Sequence, residues 1–200
     1  MRRPARPGPA TAWFLAAVTL VATGCSGLPV GPTAPASDPA LPTSPSPPGR
    51  AAALTDVVDG DTVKVRLDGV TESVRIIGID TPESRRPGTP VECFAREATD
   101  AAVALLPEGS RVWLEPDPTQ DTRDRYGRFL AHLWLADGRL FAEAMIRDGY
   151  GIHYVYGGVP SRYAARLAAA QLDAERAWAG LWAPDTCAGD PHTPAGDAPG

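Results

Sequence analysis

The chain has 200 residues, 44% of them apolar, and a formal net charge of −5 at neutral pH. That length holds one domain of ordinary size plus tails, with enough apolar residues for a core. The acidic balance excludes a protein that coats nucleic acid through bulk positive charge, but leaves room for a small, locally basic cleft. Lys64 is the only lysine, so nearly every cation is an arginine, whose planar fork suits bidentate phosphate contacts.

Residues 1–25 read as an address. Arg2, Arg3 and Arg6 precede an apolar run, TAWFLAAVTLVA (11–22), too short to span a bilayer. The small residues of VATGC just before Cys25 resemble the lipobox of bacterial lipoproteins, in which the cysteine is lipidated and becomes the first residue of the mature chain. Ala22 stands where leucine is more usual, which keeps ordinary signal cleavage nearby as the alternative. Loss of the leader's three arginines takes the formal charge from −5 to −8. An exported chain lies where disulfides persist. Cys93 and Cys187 then offer one pairing, closing a loop of about 94 residues and tying the C-terminal end to an early helix; two unpaired buried thiols are the other reading. Residues 26–50, rich in Pro, Ser, Thr and Ala, read as an extended linker. Residues 188–200 have the same character and read as a disordered tail with His192 solvated.

The globular part is then 51–187. TVKVRLDG (62–69) alternates as a half-buried strand and ends in an Asp-Gly turn, and ESVRIIGID (72–80) is its hairpin partner. Residues 90–109 turn helical, and RVWLEPD (111–117) is a third strand. Residues 128–140 hold a fourth strand, a second Asp-Gly turn and a short return strand. Residues 140–151 form a short helix closed by Gly149, and 160–182 a long helix with Ser161 as its N-cap. Trp113, Trp134, Trp178 and Trp182 suit core and helix packing. Strands first, then helix, strand and helices exclude a βαβ parallel sheet. The class is a β-rich α+β fold, a small antiparallel barrel with helices around it.

Four stretches place polar residues at the rims of these strands. In VDGDTVKV (57–64), Asp59 and Asp61 present hard oxygen ligands, or else an ordinary turn. In VRIIGIDTPES (74–84), Arg75 shares a strand with Ile77 and Ile79, which look like core; Asp80 ends it, Thr81-Pro82 stops it and Glu83 follows. In DTRDRYGRFL (121–130), Arg123, Arg125 and Arg128 can meet phosphate or form a solvated hairpin. In GIHYVYGG (151–158), Tyr154 and Tyr156 share a face if extended, suited to base stacking or to rim packing. His132 and His153 have no partner at zinc-ligand spacing, and no G-x-S-x-G step marks a serine nucleophile.

Taken together, VDGDTVKV, VRIIGIDTPES, ECFAREA, DRYGRFLAHLW, FAEAMIRDGYG and YVY follow the order and approximate spacing of the staphylococcal nuclease family, and the resemblance spans about residues 54–183. It implies an OB-like five-stranded barrel with three helices and a calcium-dependent phosphodiesterase that cleaves DNA and RNA with little sequence preference, leaving 3′-phosphates. By the same resemblance Asp61, Asp80 and the Thr81 carbonyl hold Ca2+, Asp59 shapes the charge there, and Glu83, Arg75 and Arg128 are catalytic. Arg125, Tyr126, Tyr154 and Tyr156 face the nucleotide. The implied protein is a monomer, lipid-anchored through Cys25 on the outer face of a bacterial membrane or released from it. A non-catalytic OB-like module binding nucleic acid or protein at the cell surface is the alternative; a calcium-stabilised adhesion or envelope domain is a third. The presence of all five of Asp61, Asp80, Glu83, Arg75 and Arg128 favours the enzyme.

Overall fold

The computed structural model describes residues 46–85, 88 and 90–195. Cys25, the expected leader and most of the expected linker lie outside the described residues, as does the end of the tail. Strands β1 (Arg50–Val57), β2 (Thr62–Leu67) and β3 (Val70–Ile76) form a meander, followed by a two-residue strand β4 (Ile79–Asp80) and helix α1 (Ala95–Leu105). Then come β5 (Arg111–Glu115), β6 (Phe129–Trp134), α2 (Phe141–Arg147), a two-residue strand β7 (Ile152–His153) and α3 (Ala164–Ala177). Five strands close a barrel in the order β1-β2-β3-β6-β5, while β4 and β7 pair outside it.

The barrel is mixed rather than wholly antiparallel: β3 and β6 run parallel, with Val74 opposite Phe129 and Arg75 opposite Leu130. β5 runs antiparallel to β6, so the chain reverses twice between β3 and β6, and closure on that seam leaves no open edge. The fifth strand is β1, not the return strand expected after Gly138, where Trp134 and Leu140 share only an isolated bridge. Its sequence, RAAALTDV, lacks the β-branched signal of β2, and pairing to both β2 and β5 makes it a strand.

The expected 72–80 strand is two pieces. Gly78, at φ 87, ends the run after β3 and restarts it as β4. Within β3, Val74 and Ile76 enter the core while half-buried Arg75 faces the other way. Side-chain parity is reset at Gly78, so Ile79 is buried as well. The core fills the barrel with Val63, Val65, Val74, Ile76, Leu114 and Leu133, and extends to Phe141, Met145 and Ile146 of α2 and Leu167 of α3. Trp134 is buried as expected, but Trp178 is 65% exposed, because it takes the left-handed turn that ends α3 and leaves the helix face.

Ser161 does not cap α3. The helix starts at Ala164 without a side-chain cap, and its entry is fastened from another element: Arg162 N donates to Asp117 Oδ2 at 2.6 Å. The same carboxylate accepts Thr119 N at 2.9 Å and meets buried His132 Nε2 at 2.9 Å. Burial alone raises an aspartate, but the Thr119 and Arg162 amides, with His132 and the Thr119 hydroxyl, outweigh it and hold Asp117 at about 2. A depressed folded value stabilises above the unfolded value of 3.8, and the gain is lost as pH falls through about 2. Asp117→Asn is therefore expected to lose on the order of 2 kcal/mol at pH 7 and to flatten the wild-type decline between pH 4 and 2, measured by urea melts. An unchanged slope rejects the assignment.

Cys93 and Cys187 are bonded. Together with Leu181 they form a small buried cluster apart from the main core, packed by Phe94, Ile152 and Trp182. The chain beyond Cys187, read from sequence as a disordered tail, is hydrogen-bonded to the body through Ala195, while His192 keeps its side chain 60% exposed. Cys93 N donates to Thr193 O at 2.7 Å and Ala195 N to Val91 O at 2.9 Å, with an isolated bridge between Glu92 and Pro194. The covalent tie places this segment beside residues 91–93 at high effective concentration, which supplies the ordering that its composition lacks.

Candidate active site

Every site residue named from sequence within the described part of the barrel lines one cleft of about 960 Å³, across the β2–β3 hairpin end, β4, the loop before β6 and the segment after β7. At its floor the turn 59–61 closes on itself: Asp61 N donates to Asp59 Oδ1 at 3.1 Å. Asp61 then points across to β4, where Thr81 N and Thr81 Oγ1 donate to its Oδ2 at 3.1 and 3.3 Å. Thr62 Oγ1 donates to its other oxygen at 3.0 Å.

Arg75 ties this floor together. Its Nη1 lies 3.0 Å from Asp61 Oδ2 and donates to Ile79 O at 2.8 Å, while its Nη2 donates to Asp80 Oδ1 at 2.7 Å. One guanidinium therefore bridges two carboxylates that sequence separates by a hairpin and a turn. Register explains the meeting: Thr62 sits opposite Arg75 across β2–β3. Arg128, just before β6, reaches the same place from the parallel seam, with Nη1 on Thr62 Oγ1 at 3.3 Å and Nε on Asp124 Oδ2 at 2.6 Å. The two arginines are thus linked through Asp61 and Thr62.

Negative charge is in excess on this floor. Burial, then the Asp61 charge, push the Asp59 carboxyl up to about 6. Burial also raises Asp80 despite the Arg75 cation beside it. Both effects mark a place that a cation would relieve.

Glu83 lies on the rim. Its Oε1 accepts Arg85 N at 2.9 Å, and its own N–H donates to Glu92 Oε2 at 2.6 Å. On the opposite wall Arg125 and Arg128 lie over the Tyr126 ring, 4.7 and 5.5 Å from its centre. Arg125 also donates to the Tyr126 hydroxyl at 2.6 Å. Tyr126, Tyr154 and Tyr156 stay 68%, 41% and 63% exposed at the mouth, as expected of ring faces kept for a partner rather than for the core. Arg123 is engaged elsewhere, bidentate on Glu72 at 2.9 Å to each oxygen, and so braces the hairpin.

Sequence reasoning missed the supports. Thr62, Asp124 and Glu92 orient the named residues, and His192 lines the cleft. Glu92 stands within the ECFAREA motif without any mark of its role, and His192 gave no signal in a Pro- and Gly-rich tail.

Gly60 is required by close approach. A Cβ there would stand 2.7 Å from Thr81 Oγ1 and 2.8 Å from its Cβ and Cγ2. Gly60→Ala is expected to push Thr81 off Asp61 and to cost about 1–3 kcal/mol by overpacking, read in a urea melt. A variant as stable as wild type would show that the turn yields without disturbing Thr81.

Residues 73–184 match the family described as staphylococcal nuclease homologue. The thermonuclease of Staphylococcus hyicus is 37% identical over 127 residues, 63% of this chain and 72% of that protein. The thermonuclease of Staphylococcus intermedius is 34% identical over 134 residues, 67% and 77% of the two chains. Endonuclease YncB of Bacillus subtilis (strain 168) is 36% identical over 104 residues, 52% and 48%. A closed barrel, a cleft built from its hairpin end and a match over more than half its length agree: this chain belongs to the staphylococcal nuclease family.

Proposed function

We propose that the protein is an exported, calcium-dependent endonuclease that hydrolyses DNA and RNA with little sequence preference and leaves 3′-phosphate ends. The observation that carries this reading is the convergence of Asp61, Asp80, Arg75, Arg128 and Glu83 on one cleft. Family membership and the endonuclease relatives support hydrolysis.

The donors fit a hard divalent cation. Asp61 and Asp80 converge on one guanidinium, within 3.0 and 2.7 Å of it, all their donor atoms are oxygen, and the Asp59 carboxyl beside them is held up at about 6. Among the described residues no three His, Cys, Asp or Glu side chains form a ready metal cage. By the family resemblance, Asp61, Asp80 and the Thr81 carbonyl would hold the ion. Bound there, calcium supplies Lewis-acid polarisation of a phosphate oxygen.

The chain's own residues supply the rest. Glu83 accepts a proton from the attacking water as the water oxygen bonds to phosphorus. The P–O5′ bond breaks and the leaving 5′ oxygen takes a proton from solvent, giving a 3′-phosphate and a 5′-hydroxyl. Arg75 and Arg128 stabilise the charge that grows on the non-bridging oxygens. Arg125 with Tyr126, and Tyr154 with Tyr156, hold the strand by phosphate contact and stacking, which reads no base edge.

The disulfide supports an oxidising compartment, and we place the protein on the outer face of the membrane through lipid on Cys25. Among the described residues no helix is long and apolar enough to cross a membrane. The test is incubation of the purified protein with denatured DNA or RNA, in calcium or in chelator. Cleavage confined to calcium, giving 5′ ends that a polynucleotide kinase labels without prior phosphatase, is the expected result. Chelator-resistant cleavage or 5′-phosphate ends overturn the mechanism. Mass spectrometry of the native N-terminus tests the anchor: an unmodified residue other than Cys25 there removes it.

A further inference from the structure

Resting on the nuclease reading, we propose that Glu92 is a positioning residue for Glu83, and that the segment 187–195 is a strap that holds Glu92 in place with the Cys93–Cys187 bond as its clasp. Glu92 touches Glu83 twice. Its Oε2 accepts Glu83 N at 2.6 Å, and its own N–H donates to Glu83 O at 3.0 Å. The peptide carrying the proton acceptor is therefore held by one neighbour through both its N–H and its C=O. A side-chain carboxylate on a backbone N–H is a charge-assisted bond, among the stronger kinds.

Glu92 is held from the strap side in turn. Its other oxygen, Oε1, meets His192 Nδ1 at 3.2 Å, and its backbone bridges Pro194, flanked by the Cys93–Thr193 and Val91–Ala195 hydrogen bonds. The strap itself is fitted to the body. Gly189 N donates to Leu181 O at 3.0 Å, and a Cβ on Gly189 would stand 2.9 Å from the Trp182 ring. His192 thus becomes part of the cleft wall, supplied from a hundred residues downstream of Glu92.

The clasp is separable from the core. Cys93 and Cys187 belong to the small cluster around Leu181 and not to the barrel interior. Opening the bond therefore releases the strap while the barrel stays folded. A misplacement near 1 Å of a reacting group costs about 10²-fold in rate, so loosening Glu83 by this route lowers turnover without touching the ligands or the stacking wall.

The test compares Glu92→Ala, Glu92→Gln and the Cys93→Ser/Cys187→Ser pair in the full chain. Glu92→Ala is expected to lower kcat by about 10–100-fold with KM within about two-fold. Glu92→Gln, whose amide oxygen still accepts the Glu83 N–H, recovers most of that loss. The cysteine pair, or wild type in dithiothreitol, falls towards Glu92→Ala while circular dichroism reports a folded barrel. Independently of activity, the Glu83 amide proton in NMR is expected to move upfield and to exchange faster in Glu92→Ala. An active wild type with unchanged kcat in Glu92→Ala overturns this inference alone, as does a loss confined to KM or an unmoved Glu83 amide. An inert wild type overturns the nuclease reading and this inference with it.

Discussion

Arg75→Ala is expected to reduce cleavage of denatured DNA by about 10²–10³-fold, the usual cost of one donor aimed at a developing oxyanion, and to lower stability in chelator by about 3 kcal/mol. The second effect is less obvious and comes from the floor of the cleft. Arg75 bridges Asp61 at 3.0 Å and Asp80 at 2.7 Å, with its side chain only 15% exposed, so its removal leaves two carboxylates facing each other without a counter-charge. Calcium is then expected to raise the melting temperature of Arg75→Ala more than that of wild type. Removing a cation beside the ligands strengthens their hold on another cation, and whatever binds the folded form alone stabilises it. Arg75→Lys should fall between the two, because an ammonium cannot hold two carboxylates and the Ile79 carbonyl in one plane. A variant as stable as wild type in chelator, or one that gains less from calcium, rejects Arg75 as the resident counter-ion.

Much of the fold was legible because its strands obey simple rules. The alternation of TVKVRL predicts β2, whose buried apolar positions are Val63, Val65 and Leu67. Gly149, left-handed at φ 76, closes α2 as expected. What escaped depends on contacts between distant elements. β1 is alanine-rich and becomes a strand only between β2 and β5. The parallel seam between β3 and β6 has no local signature at all. Ser161 satisfied every local rule for an N-cap, yet Asp117, 45 positions upstream of Arg162, does the fastening. Gly78 could be seen, but not its consequence: it resets side-chain parity between β3 and β4, so Ile79 is buried although Val74 and Ile76, not Arg75, face the core from β3.

The site was legible in a different way. No single stretch distinguishes a calcium ligand from a turn, since Asp59 does in fact accept the Asp61 N–H as an ordinary turn former would. The order of six motifs carried the reading, because the barrel brings five of them to one cleft, while FAEAMIRDGYG forms α2 and packs in the core. Residues that hold others in place stayed hidden: Thr62, Asp124 and Glu92 act through geometry, and their residue types are common at turns and on helices. The strap was misread for a related reason. Composition sets whether a segment can order itself, whereas here the order comes from a covalent tie and from hydrogen bonds at residues 91 and 93.

Glu83→Gln is expected to lower kcat by about 10²–10⁴-fold, the range for losing a general base, while changing stability by no more than about 0.5 kcal/mol. The separation follows from what the side chain does. Its Oε1 accepts Arg85 N at 2.9 Å, a role the glutamine amide oxygen keeps, and its peptide is held by Glu92 regardless of the side chain. The substitution removes the basicity and the charge of the side chain. The loss should therefore fall on kcat, with KM within about two-fold of wild type. Glu92→Ala should lose less, because there the acceptor is displaced and not deleted. A Glu83→Gln variant that keeps a tenth or more of the wild-type rate would move the proton to another group. Asp80 and Asp59 are then two further carboxylates of the same cleft, and both are already held above the usual aspartate range by burial.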